Sequence, residues 1–116
     1  MEAFFAGPGE GEIRKRGART ARVLGELPHV EAVEVSFEPG WEGVDPHSHA
    51  DHTDSFYVLE GEVEFLVNGE WRCGGPGTFV SVPPGAVHAV RSADGGGIRV
   101  LNLHAPNVGF VERLIG

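Results

Sequence analysis

Apolar and polar residues alternate with a period of two from residue 30 onward. Val33, Val35 and Phe37 interleave with Glu34, Ser36 and Glu38, the pattern of a strand with one buried face. Pro39-Gly40 ends that run. Ser55 to Glu60 is a second short run of strand formers, stopped by Gly61. Val63, Phe65 and Val67 alternate with Glu62 and Glu64, and Asn68-Gly69 follows, a strong signal for a two-residue hairpin turn. Thr78 to Val82 is a further strand, closed by Pro83-Pro84-Gly85. Val87 to Arg91 and Ile98 to Leu103 are two more, joined by a turn at Gly95-Gly96-Gly97. Gly109 to Ile115 fits a short helix or a strand equally. Turn signals recur about every 8–12 residues, the spacing of an all-β sandwich or barrel.

Composition agrees with many short strands. The chain has 116 residues with 18 glycines and 8 prolines, about 22% against roughly 12% in average usage. Those residues are the poorest helix formers, which excludes a helix bundle. The length implies one domain, read as an N-terminal arm over 1–25, a barrel core over 30–105 and a C-terminal tail over 106–116. Arg14, Lys15, Arg16, Arg19 and Arg22 fall within residues 13–25 without an acid, as on a solvated arm or a charged edge strand.

The net charge is −8, which disfavours nucleic acid and anionic membrane surfaces as partners. The single Cys73 cannot form an internal disulfide or a thiolate metal site. The apolar stretch Ala3 to Ala6 is too short for a signal-peptide core. A cytoplasmic protein is the expectation.

Histidine carries the candidate chemistry. His47, His49 and His52 fall within six residues, in His47-Ser48-His49-Ala50-Asp51-His52-Thr53-Asp54. In a strand, His47 and His49 would share a face. Asp54, at the start of the next strand, could add a carboxylate, and His88, after the Pro-Pro-Gly turn, a third imidazole. Imidazoles with one carboxylate suit divalent Fe, Mn, Ni, Cu or Zn. Four such ligands leave an octahedral ion two open positions. His29 follows Pro28 in an expected loop and reads as solvated. His104 points away from Leu101 and Leu103.

These residues resemble the two motifs of the cupins. The first motif, G-x5-H-x-H-x3,4-E-x6-G, is similar to His47-x-His49 followed by four residues, Asp54, six residues and Gly61. The second, G-x5-P-x-G-x2-H-x3-N, is similar to Gly77, Pro83, Gly85 and His88, with Ser92 in the last place. The 15 residues between Gly61 and Gly77 are similar to the spacer of small single-domain cupins of the cupin-2 type. The resemblance implies an all-β, jelly-roll-like barrel, the double-stranded β-helix. It also implies a metal on His47, His49, Asp54 and His88.

Asp54 stands where the family has Glu, one methylene shorter, and His52 is the substitute ligand if Asp54 falls short. Either is a possible base. Phe56, Phe65, Trp41 and His104 are the candidate substrate-pocket residues. The segment from Leu101 to Pro106 with Gly109 to Glu112 resembles quercetin-dioxygenase-like cupins. That implies a metal-dependent enzyme, dioxygenase-type, acting on a small molecule. A non-catalytic binding or sensing cupin with bound metal is the alternative. A homodimer is expected, because exposed sheet edges need cover.

Overall fold

A computed structural model describes residues 2–115, with side chains through residue 113. The strands are β1 (Glu12–Arg16), β2 (Arg19–Leu27), β3 (Val30–Phe37), β4 (Val44–His47), β5 (Thr53–Glu60), β6 (Val63–Val67), β7 (Glu70–Gly74), β8 (Phe79–Val82), β9 (His88–Ser92) and β10 (Ile98–Ala105). One short helix, α1 (Phe110–Ile115), follows. They form a six-stranded sheet, β1-β2-β3-β10-β5-β8, and a four-stranded sheet, β4-β9-β6-β7. The fold is the double-stranded β-helix barrel. Val33, Val35, Phe56 and Val100 from the larger sheet and Val63, Phe65 and Val90 from the smaller one share a single core. Among the described residues, no helix is long and apolar enough to cross a membrane.

The period of two builds the interior in rungs. β10 lies between β3 and β5, and its inward residues pair across both. One rung is Val35, Val100 and Val58; the next is Val33, Asn102 and Phe56; the last is Glu31, His104 and Asp54. All nine are buried. The barrel is therefore apolar along most of its inner face and ionisable at one end.

The basic segment, read from sequence as an arm over 1–25, belongs to the sheet. β1 is the exposed edge strand. β2 runs inside the sheet with Ala21, Val23 and Gly25 buried, and a boundary between residues 25 and 30 falls within the β2–β3 hairpin. Its cations are matched locally. Arg14 pairs with Glu12 at 3.1 Å, Lys15 with Glu38 at 3.5 Å, and Arg22 donates to the Gly9 carbonyl at 2.8 Å. Residues 110–115, open between helix and strand in sequence, form α1.

Gly61 makes the corner after β5. Its φ is +89°, and a Cβ there would lie 2.5 Å from the Gly97 carbonyl oxygen and 2.9 Å from Ile98 Cγ2. Only glycine fits both the left-handed backbone and the close approach of the chain entering β10.

Candidate metal centre

The two sheets deliver the donors from opposite sides. His47 ends β4 and pairs with His88, the first residue of β9. Asp54, near the start of β5, comes from the larger sheet. β4 stops at His47, so His47 and His49 do not share a strand face. The loop 48–52 carries His49 inward instead. The ring centroids of His47 lie 4.7 Å from His49 and 4.3 Å from His88. One donor atom from each of His47, His49, Asp54 and His88 lies within 4.8 Å of the others. Asp54 reaches despite its shorter side chain: Oδ2 is 3.2 Å from His88 Nε2 and 3.5 Å from His49 Nε2. His52 falls outside this group and joins Asp54 and His104 in a second one.

Hydrogen bonds fix how the rings point. His47 Nδ1 meets the Asp45 carbonyl at 2.8 Å, and His88 Nδ1 meets the Ala86 carbonyl at 3.1 Å. A carbonyl only accepts, so each Nδ1 carries the proton and each Nε2 faces the centre, as metal-ligating histidines require. His49 Nε2 is buried and has no hydrogen-bond partner among the described residues. Such an orphan is costly, and a bound cation would satisfy it, so the donor set fits a divalent transition metal.

Electrostatics fit as well. Burial and the neighbouring His52 depress the His49 pKa against the pull of Asp54, favouring the neutral ring a metal binds. Burial also works against a charged His88, but the hydrogen bonds to Asp54 and to the Ala86 carbonyl outweigh it and raise the pKa. At Asp54 burial favours the neutral acid. His104, His88 and Asn102 outweigh that and hold the carboxyl well below its ordinary range.

Asn102 and Glu31, which surround Asp54 together with His52, escaped the sequence reading. Asn102 Nδ2 donates to Asp54 Oδ1 at 2.7 Å. Glu31 is fully buried, faces His104 Nδ1 through Oε1 at 3.0 Å, and accepts the Val111 backbone N–H through Oε2 at 3.1 Å. His52 Nδ1 bonds Asp51 Oδ1 at 2.8 Å. Parity was the available signal for the first two. Glu31 lies in phase with Val33, Val35 and Phe37, and Asn102 lies in phase with Ile98 and Val100.

A cavity of about 470 Å³ opens in front of the donors. His47, His49, Asp54 and His88 line it together with apolar wall residues such as Val33, Val35, Phe56 and Val100. Arg19 from β2 and Phe110 and Arg113 from α1 also line it. Of the pocket residues expected from sequence, Phe56 lies on the wall. Phe65 does not, because it packs behind Phe56 at 5.5 Å between ring centroids. Trp41 stacks on Phe37 at 3.7 Å and lines a separate shallow recess beside Arg16 and Arg19. His104 is fully buried under Phe110, with ring centroids 4.0 Å apart. Of the two possible bases, Asp54 reaches the cavity and His52 does not. Exposed Cys73 lies 3.9 Å from Glu62, and burial together with nearby carboxylates raises its pKa, so nothing activates it as a nucleophile.

A barrel with inward imidazoles at one end is the design of a cupin. The cupin domain family matches residues 33–104, and the chain belongs to that family. It is 31% identical over 86 residues to quercetin 2,3-dioxygenase of Bacillus subtilis, covering 72% of this chain and 26% of that protein. The chain thus spans about a quarter of that relative's length. Among solved structures it is similar to KdgF from Halomonas sp., with a TM-score of 0.77, 25% identity and coverage of 91% and 94% of the two chains. It is also similar to an RmlC-like cupin from Shewanella frigidimarina, with a TM-score of 0.78, 27% identity and coverage of 90% and 92%.

Proposed function

We propose that this cupin is a metal-dependent enzyme acting on a small organic molecule in the barrel, with dioxygenase-type chemistry on an enol or flavonol-like substrate. The observation that carries the reading is the three-histidine, one-aspartate group at the end of a mostly apolar cavity. His47, His49, Asp54 and His88 would hold the ion, and a divalent Fe, Mn, Ni, Cu or Zn ion bound there would supply Lewis-acid polarisation of a substrate oxygen. Asp54 stays ionised through its hydrogen bonds and supplies the negative ligand. Phe56, Val33 and Val100 orient the apolar body of the substrate and exclude water. The quercetin 2,3-dioxygenase relative supports oxygen chemistry.

Oxygen uptake with enolic substrates, using Fe-, Mn-, Ni- and Cu-loaded protein, tests this. Uptake above that of the free metal is expected. Saturable ligand binding without uptake would replace the enzyme with a binding or sensing cupin. Two copies pair through the β5–β8 edge of the larger sheet, where Tyr57 and Phe79 are cross-strand neighbours, 42% and 62% exposed. Light scattering should report a dimer that Phe79→Asp converts to monomer; a wild-type monomer would refute the pairing.

A further inference from the structure

A second set of donors lies behind the ones that face the cavity, and the proposed function does not use it. His52, Asp54 and His104 are 2%, 3% and 0% exposed, and one donor atom of each lies within 4.8 Å of the other two. The His52 and His104 rings meet edge to face, with centroids 5.2 Å apart. His52 Nε2 and His104 Nε2 are both buried without a hydrogen-bond partner among the described residues.

The opposite ring atoms are both anchored to carboxylates. His52 Nδ1 is 2.8 Å from Asp51 Oδ1, and His104 Nδ1 is 3.0 Å from Glu31 Oε1. An ionised carboxylate only accepts, so the proton of each neutral ring sits on Nδ1 and Nε2 presents a lone pair. A carboxylate behind the imidazole is the usual outer partner of a metal-bound histidine. In the cavity-facing set, His47 and His88 have only backbone carbonyls in that role.

Asp54 divides its two oxygens between the sets. Oδ2 faces His88 and His49 at 3.2 and 3.5 Å. Oδ1 lies 3.2 Å from His104 Nε2, off the hydrogen-bond direction, and accepts one bond from Asn102. A carboxylate oxygen has a second lone pair to give. Three acceptors therefore face one another: two imidazole nitrogens and Asp54 Oδ1. A water molecule has two hydrogens and leaves one of the three unpaired; a proton on His104 Nε2 would pair it with Asp54 Oδ1 at 3.2 Å and leave His52 Nε2 without a partner, whereas a metal cation satisfies all three.

We propose that His52, His104 and Asp54 Oδ1 bind a second divalent transition-metal ion, with Asp54 bridging it to the ion in front. In known two-metal sites the ions stand about 3.5–4 Å apart, a separation that one carboxylate spans. Two imidazoles with one carboxylate suit Zn, Fe or Mn. The inference shares Asp54 with the proposed function, so the test separates the two.

The full chain is stripped with a chelator, titrated with Mn²⁺ or Zn²⁺, and its bound metal counted by mass spectrometry. Two equivalents per chain are expected. His104→Gln and His52→Gln should each retain one, and His47→Gln should retain the other. The Mn²⁺-loaded wild type should give an exchange-coupled paramagnetic resonance signal that every one of these variants loses. If His104→Gln does not fold, His52→Gln carries the same test, because its anchor Asp51 is exposed. One equivalent in the wild type that survives both rear substitutions overturns the second site and leaves the front one standing. No bound metal overturns both. Two equivalents that survive both rear substitutions overturn the assignment to His52 and His104.

Discussion

Removing the Glu31 side chain tests whether the ionisable rung holds the barrel end together. Glu31 is fully buried and serves two donors, His104 Nδ1 at 3.0 Å and the Val111 backbone N–H at 3.1 Å. Glu31→Ala strands both inside the protein. A buried donor left unsatisfied costs about 1–3 kcal/mol, and Glu31→Ala leaves two of them, so about 2–5 kcal/mol in all is expected. For a chain of this length the fall in melting temperature is roughly 10–20 °C. Glu31→Gln keeps an acceptor for Val111 but turns its NH2 toward His104 Nδ1, so one donor loses its partner and about 1–3 kcal/mol is expected. Urea unfolding on chelator-treated protein reads these values without linkage to bound metal. The backbone of α1 should also exchange amide hydrogens faster in Glu31→Ala, since Val111 is the helix's buried anchor. A cost below about 1 kcal/mol for Glu31→Ala would refute the structural role of this carboxylate.

Three further outcomes follow from the same geometry. The Asp54 carboxyl is held below its ordinary value, so its contribution is whole above the unfolded pKa of about 3.9 and is lost as pH falls through the folded value. Metal-free Asp54→Asn should therefore lose stability less steeply than wild type below about pH 4; equal slopes in pH-dependent urea titrations would count against it. Gly61→Ala should destabilise by more than about 1 kcal/mol, because both the +89° φ and the Gly97 carbonyl oppose a Cβ; a neutral change in melting temperature would show that the corner relaxes. Phe56→Ala should cost about 3 kcal/mol while leaving metal stoichiometry unchanged; loss of bound metal would place Phe56 in support of the donors.

Particular residues show how much of this was legible in the sequence. β3, β5 and β6 stood out because valine and phenylalanine alternate with acids on them. β2 did not, because its inward residues are Ala21, Val23 and Gly25 while Thr20, Arg22 and Leu24 alternate with them. Small inward and mixed outward residues leave little contrast for a period of two to show. That His47, His49, Asp54 and His88 come together was legible from motif spacing, which reflects the turns that aim them. Glu31 and Asn102 were not, because hydrophobic patterning assigns an acid or amide to the solvent side. His104 shares its inward phase with Ile98, Val100 and Asn102, and only the register with Glu31 and Asp54 showed what it meets there. His29 lies exposed in the β2–β3 turn, as read.

The rung layout separates two kinds of change that most binding sites entangle. The candidate donors and their partners occupy one end of the barrel, while Val33, Val35 and Val100 shape the cavity one or two rungs away. A valine exchanged for alanine or leucine there alters the space inside the cavity without touching a candidate donor atom. The shape of the cavity can therefore drift by single apolar substitutions while the donor set stays constant, and a library confined to those three positions would sample cavity shape over a preserved set of candidate donors.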